Sequence, residues 1–252
     1  MQVITSTKNE YIKTLRSLKQ PKYRRQLGLF LAEGGKCAWE ALTYGDAEAL
    51  LLPQDAPDAG LMALAQQKQV QVICVSDAVM EAVSEVKTPQ NAIAVIRRPA
   101  GQSFLEQGVI AALEDVSDPT NVGAIIRTAD AIGAAGVLLS AGCADYTSPR
   151  AVRASMGSVF HVPVCVCDDF RAELTRLKGE GWRIVGAHLK GQPKLPHSEK
   201  HCLLIGNEAR GLTAETSALC DDLVKISIYG QAESLNASVA AGILLYRLRE
   251  GF

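Results

Sequence analysis

Apolar and polar positions follow two periods along this chain, and the switches between them lay out its elements. "NEYIKTLRSLKQPKYRRQ" spaces its apolar residues as a helix does, and Pro21 predicts a break within it. "GLFLAEG" predicts a short strand ending in a turn, and "KCAWEALTYG" a helix. The strands "AEALLLP", "VQVICVS" and "NAIAVIRRP" then alternate with the helices "AGLMALAQQKQ" and "DAVMEAVSEV". The pattern predicts a small α/β domain over residues 1–99. The polar "RRPAGQSFLEQG" interrupts it and sets a linker at 100–107.

From Gly108 the alternation restarts, with "GVIAALEDV" as a strand and residues 121–134 as a helix. "GVLLS" and "VPVCVC" read as strands on either side of the helical "SPRAVRASMGSVF". The helix "DFRAELTRLKGEG" leads to the strands "WRIVGAHL" and "HCLLIGN", the short helix "TAETSALC", the strand "DLVKISI" and the final helix "SLNASVAAGILLYRLRE". Strands alternating with helices imply a mostly parallel sheet covered on both faces, over residues 108–252.

Composition narrows the function classes. With 48% hydrophobic and 21% charged residues in a chain of 252, the sequence buries a core and is not that of a disordered protein. The start "MQVITSTKNEYIK" lacks the apolar core of a signal peptide, and no apolar run reaches the ~20 residues needed to span a bilayer. The expectation is a cytoplasmic protein with no membrane partner. Seven scattered cysteines without a CxxC pair point to reduced thiols. His197, His201 and Cys202 lack a second ligand pair, so no metal is expected. The formal net charge of −1 hides an asymmetry, because residues 1–25 carry seven basic residues against Glu10 alone, a net of +6. Charge by itself leaves this segment open between a solvated face and an arm that contacts phosphate.

Ligands of parallel sheets bind beyond the carboxyl ends of strands, and three predicted ends carry unusual polar groups. They are "LEDVSDPTNVGAIIRTA", "LLIGNEARGLT" and "ISIYGQAESLNASVAAG". Each has an ordinary structural explanation. Asn121, Ser234 or Asn236 would cap a helix, Gly206 and Gly211 would serve turns, and Arg127 would pair with Asp115 or Asp130. Three such segments at the ends of one sheet point instead to a site. No GxGxxG follows a strand, and neither GxxxxGK[ST] nor GxSxG occurs, so the common dinucleotide, P-loop and hydrolase signatures are excluded.

In order and separation, "DPTNVGAIIRTADAIGA", "IGNEARGLT" and "ISIYGQAESLNASVAAGI" resemble the three motifs of the SpoU (TrmH-like) RNA 2′-O-ribose methyltransferases. The resemblance covers residues 108–252, with "SPRAVRASMGSVFHVPV" also fitting. It departs at Ala209, where the motif often has glycine, and at Ile226-Ser227-Ile228, where it often has Ile-Pro-Met. The opening "ITSTKNEYIKTLRSLKQPKYRRQLGLFLAEG" resembles the L30e-like substrate-binding domain of rRNA-modifying members.

The resemblance implies a SPOUT-type α/β catalytic domain with a C-terminal trefoil knot, a feature that physical priors disfavour. It implies S-adenosyl-L-methionine as cofactor, held largely through backbone at Gly206, Ile226 and Leu235. It makes Arg127 the central catalytic residue. Because guanidinium stays protonated, Arg127 is expected as a fixed cation, held by apolar neighbours, that grips an RNA phosphate and stabilises a developing alkoxide. Asn121 would orient the ribose or Arg127, while Glu208, Ser234 and Asn236 would position the knot loops and the substrate. Lys22, Arg24 and Arg25 become the expected phosphate contacts. A homodimer whose second chain completes each site is implied, with ribosomal RNA favoured over tRNA as substrate. The rivals are the same reaction on tRNA, a non-catalytic RNA-binding paralogue, and a small-molecule α/β enzyme with an unrelated cofactor.

Overall fold

The runs richest in Leu, Ile and Val become strands, and most strands are followed by a helix. The computed structural model describes residues 2–86, 91–99 and 103–251. Two units form, Met1–Ala100 with Asp145–Phe160, and Gly101–Ala144 with His161–Phe252.

The first unit contains β1 (Gln2–Ile4), α1 (Glu10–Ser17), α2 (Pro21–Leu27), β2 (Leu29–Glu33), α3 (Gly35–Tyr44), β3 (Ala47–Pro53), α4 (Ala59–Gln67), β4 (Gln71–Val75), α5 (Asp77–Val83) and β5 (Ile93–Arg97). Among the described residues its sheet runs β1-β4-β3-β5-β2, parallel at β1/β4 and β4/β3 and antiparallel at β3/β5 and β5/β2. One core layer sets Ile12, Leu15 and Leu18 against Leu51, Ile73 and Val95. The break at Pro21 is real: α1 ends at Ser17, and Pro21 opens α2 at a position where its missing N–H has no helical partner to lose. β1 is an addition to the predicted elements.

The second unit contains β6 (Gly108–Leu113), α6 (Pro119–Ala131) and β7 (Gly136–Ser140). The chain then contributes α7 (Pro149–Ser155) to the first unit. The second unit resumes with β8 (Val164–Cys167), α8 (Phe170–Gly179), β9 (Arg183–Gln192), β10 (Lys200–Ile205), α9 (Ala214–Leu219), β11 (Asp222–Val224) and α10 (Ala237–Glu250). Its sheet order is β11-β9-β10-β6-β7-β8, and every pairing among the described residues is parallel. Ile110, Leu138, Leu174, Ile184 and Leu204 form the centre of one core layer.

The predicted linker falls partly on residues 100–102, which lie outside the described residues. Of its remainder, Leu105 N–H donates to the Ala135 carbonyl at 3.0 Å, and the Phe104 ring sits over Gly136. The segment containing α7 read as part of the second run of elements, yet it belongs to the first unit. There α7 packs on β2, and the Phe160 ring stacks on Phe30 at 6.0 Å. No helix among the described residues is long and apolar enough to cross a membrane.

Candidate functional site

β6 stays apolar to Leu113 and then delivers two carboxylates. Glu114 turns inward, only 7% exposed, and accepts hydrogen bonds from Thr213 N–H (2.9 Å), Thr213 Oγ1 (2.8 Å) and Thr216 Oγ1. This fastens the end of β6 to the start of α9. Asp115 follows with φ 55, and its carboxylate accepts from Ser140 Oγ at 2.8 Å. Asp118 caps α6 by accepting from Thr120 N–H at 2.8 Å, with Pro119 at the first helical position.

The second segment leaves β10 as a tight loop. Asn207 N–H and Gly211 N–H bond each other's carbonyls at 3.1 and 2.8 Å, and Asn207 Nδ2 donates to the Asp115 carbonyl at 2.8 Å. Gly206 passes directly under this loop: a Cβ there would lie 2.2 Å from Gly211 C and Leu212 N. Only glycine fits, and the reason is the loop's own backbone rather than a ligand.

Glu208 is the clasp between the first two segments. Its carboxylate accepts from Ser117 N–H (3.1 Å), Ser117 Oγ (2.9 Å), Asp118 N–H (3.1 Å) and Asn121 Nδ2 (3.0 Å). Burial pushes this carboxyl up, but the bonds from Asn121, Ser117 and Asp118 outweigh it and hold the pKa at about 2.

The third segment joins through Asn121, which is 6% exposed and whose Oδ1 accepts from Asn236 Nδ2 at 3.0 Å. The Asn236 Oδ1 caps α10, accepting from Ser238 N–H at 2.9 Å and Val239 N–H at 3.3 Å. Asn236 therefore plays the structural and the site role at once, one with each amide atom. Glu208, Asn121 and Asn236 form a single chain of hydrogen bonds across all three segments.

A cleft of about 700 Å³ opens beside this chain. Gly206, Ile226 and Leu235 line it, as do Glu208, Ser234 and Asn236. Its walls combine loop backbone with Ile205, Leu212 and Leu244, an apolar slot with exposed main chain. Four basic residues that the sequence did not single out also line it: His188, Lys190, Arg210 and Lys225. The first two sit where β9 bulges, because Leu223 pairs with Gly186 while the next residue, Val224, pairs with Gln192. At the foot of this bulge, a Cβ on Gly191 would lie 2.6 Å from the Leu223–Val224 backbone. The polar "HLKGQ" after an apolar strand was the available signal.

Two expectations need correction. Arg127 is not held within an apolar surface. Val122, Ile125, Ile126 and Ala129 are buried on the core side of α6, and Arg127 projects from the exposed side. At about 100° per residue it lies about 120° around the helix from Asn121, and it does not line the cleft. Neither suggested partner holds it, since Asp130 pairs with His161 Nδ1 at 2.9 Å and the cation near Asp115 is Arg210 at 3.7 Å.

The second correction removes Arg24 from the phosphate contacts. It is 3% exposed and ion-paired to Asp145 at 2.8 Å, and its Nη1 donates to the Leu18 and Lys19 carbonyls at 2.7 and 3.0 Å. Burial pushes the Asp145 carboxyl up, but bonds from Thr147 and the Arg24 guanidinium bring it below its ordinary value. Lys22 and Arg25 remain exposed, as do Lys8 and Arg16. His201 is buried, with Nε2 3.2 Å from the Pro196 carbonyl, and no group of three or more His, Cys, Asp and Glu among the described residues is placed to hold a metal.

Comparison with known proteins agrees with this geometry. Residues 108–246 match the model of the SpoU rRNA Methylase family, and residues 9–94 match that of an MRM3-like substrate binding domain. The 23S rRNA (guanosine(2553)-2′-O)-methyltransferase RlmP of Bacillus subtilis (strain 168) is 36% identical over 253 residues, which cover 99% of this chain and 100% of that protein. The crystal structure of an AdoMet-bound rRNA methyltransferase from Sinorhizobium meliloti superposes with a TM-score of 0.88 at 31% identity, covering 100% of this chain and 98% of that one. The SpoU methyltransferase AviRb from Streptomyces viridochromogenes, in complex with AdoMet, gives 0.87 at 26% identity, covering 97% and 98%.

Proposed function

This chain belongs to the SpoU rRNA methylase family, and from that premise we propose that it transfers a methyl group from S-adenosylmethionine to a ribose 2′-hydroxyl of ribosomal RNA. The observation that carries the reading is the Glu208–Asn121–Asn236 chain, which joins three segments beside a cleft of the right chemistry. The cofactor's adenine suits the apolar slot and loop backbone around Gly206, Ile226 and Leu235. When bound, S-adenosylmethionine supplies an electrophilic methyl on a sulfonium centre.

The chain's own residues do the positioning. Glu208 accepts four hydrogen bonds and has a pKa of about 2, so at neutral pH it is a clasp and a poor proton acceptor. Asn121, with both amide atoms engaged, fixes the relation between the second and third segments. Ser234 stands exposed at the rim, where its hydroxyl is available to the substrate.

Arg127 faces away from its own chain's cleft, and we assign it to the RNA phosphate at the cleft of a partner subunit. The homodimer this requires is supported by Val239, Ile243 and Tyr246, spaced as one stripe of α10 and 50%, 37% and 46% exposed. The C-terminal trefoil knot is the expectation that membership of the family carries, and the all-parallel sheet of the second unit accords with it. The first unit, with Lys8, Arg16, Lys22 and Arg25 exposed, would dock RNA in the cytoplasm, where the expected substrate is made.

Mapping 2′-O-methyl positions by reverse transcription, in strains with and without the gene, tests the assignment. One position is expected to vanish from ribosomal RNA. An unchanged ribosomal map, or a position lost from tRNA instead, would contradict it.

A further inference from the structure

After β11 ends at Val224 the chain runs as irregular backbone to Asn236. Its first residues alternate: Ile226 and Ile228 line the cleft, while Ser227 and Tyr229 face outward. Tyr229 is 96% exposed. The next most exposed large apolar side chain among the described residues is Leu189, at 68%. A ring wholly in water contributes nothing to the fold through burial, so its presence next to Ile228, which does line the cleft, needs another reason.

The surroundings choose among occupants. Surfaces that dock protein present contiguous apolar area. Tyr229 has exposed Ser227 on one side and exposed Gly230 and Gln231 on the other. A lone aromatic face among polar groups suits a nucleobase, which stacks through its own π-face while its phosphates seek cations. Lys190, Arg210 and Lys225 supply those cations on the cleft that the neighbouring Ile228 lines.

We propose that Tyr229 is the platform on which an unpaired nucleobase, that of the target nucleotide or its neighbour, stacks as the ribose enters the cleft. Tyr229 thereby helps to decide which nucleotide is modified. The inference rests on the 2′-O-transfer reading above.

The test compares wild type with Tyr229→Phe, Tyr229→Leu and Tyr229→Ala, using large-subunit ribosomal RNA transcribed in vitro. RNA affinity, single-turnover methyl transfer, S-adenosylmethionine affinity by calorimetry and solution mass are measured for each. Tyr229→Phe should stay within about twofold of wild type, because the ring persists. Tyr229→Ala should bind RNA roughly 5- to 100-fold more weakly, the range for losing one base stack. Tyr229→Leu should resemble Tyr229→Ala, since it keeps apolar bulk without a π-face. Cofactor affinity and mass should not change. Wild-type RNA affinity in Tyr229→Ala, or Tyr229→Leu equal to Tyr229→Phe, overturns the stacking role while leaving the methyl transfer intact. A shift in mass would assign the ring to a subunit contact instead. Wild-type protein that neither binds nor methylates this RNA overturns both readings.

Discussion

Glu208 stays ionised far below the ordinary carboxylate range because four donors surround it in the folded protein and none is fixed there in the unfolded chain. Its pKa is depressed, so the contribution to stability is fully present above the unfolded value and fades as pH falls through about 2. Glu208→Gln should therefore lower the unfolding midpoint most near neutral pH, and the gap to wild type should close toward pH 2. A gap that stays constant across that range would mean that the carboxylate charge is irrelevant to the clasp. Arg127 sits at the other extreme, exposed and outside its own cleft. Arg127→Lys keeps the charge and should retain part of the activity, whereas Arg127→Ala should lose on the order of 100-fold in single-turnover transfer. Cofactor affinity should be unchanged in both, and a large drop in it would place Arg127 in the pocket after all.

Loops and helices bring these residues together, and their backbone crossings tolerate no extra atom. Gly206→Ala puts a Cβ into the Gly211–Leu212 backbone, so it should lower the melting temperature and weaken cofactor binding together. Normal stability with lost binding would instead locate the clash at the ligand. On α1 and α2 the exposed cations include Arg16, Lys22 and Arg25, with Lys13 paired to Glu10, and replacing those three with Ala should flatten the salt dependence of RNA binding by about 0.7–0.9 per lost phosphate contact. An unchanged slope would make this face merely solvated. Most elements were legible because their apolar residues repeat cleanly at one period. β1 is three residues long, too short for a period to register. "KISI" alternates like a strand, yet β11 stops at Val224 and Lys225, Ile226 and Ile228 line the cleft, because alternation reports a two-sided segment and not its pairing.

At the scale of the whole molecule, what the sequence withheld was partnership between distant positions. The three polar segments announced a site, but not that Asn236 would meet Asn121 from 115 residues away. Nor did the charge of Arg24 reveal Asp145, 121 residues on, which turns an expected RNA contact into a buried ion pair. Arg24→Met leaves that carboxylate buried and unpaired, and should cost about 3–5 kcal/mol, read as a shift in the denaturant midpoint. A wild-type midpoint would show the pair to be dispensable. The central claim, methyl transfer to a ribose hydroxyl of ribosomal RNA, is tested most directly with purified protein, S-adenosylmethionine labelled in its methyl group and ribosomal RNA. After digestion to nucleosides the label should be found in a single 2′-O-methylnucleoside, and Asn121→Ala should reduce it severely. Label on a base, or no label above a protein-free control, would contradict the account.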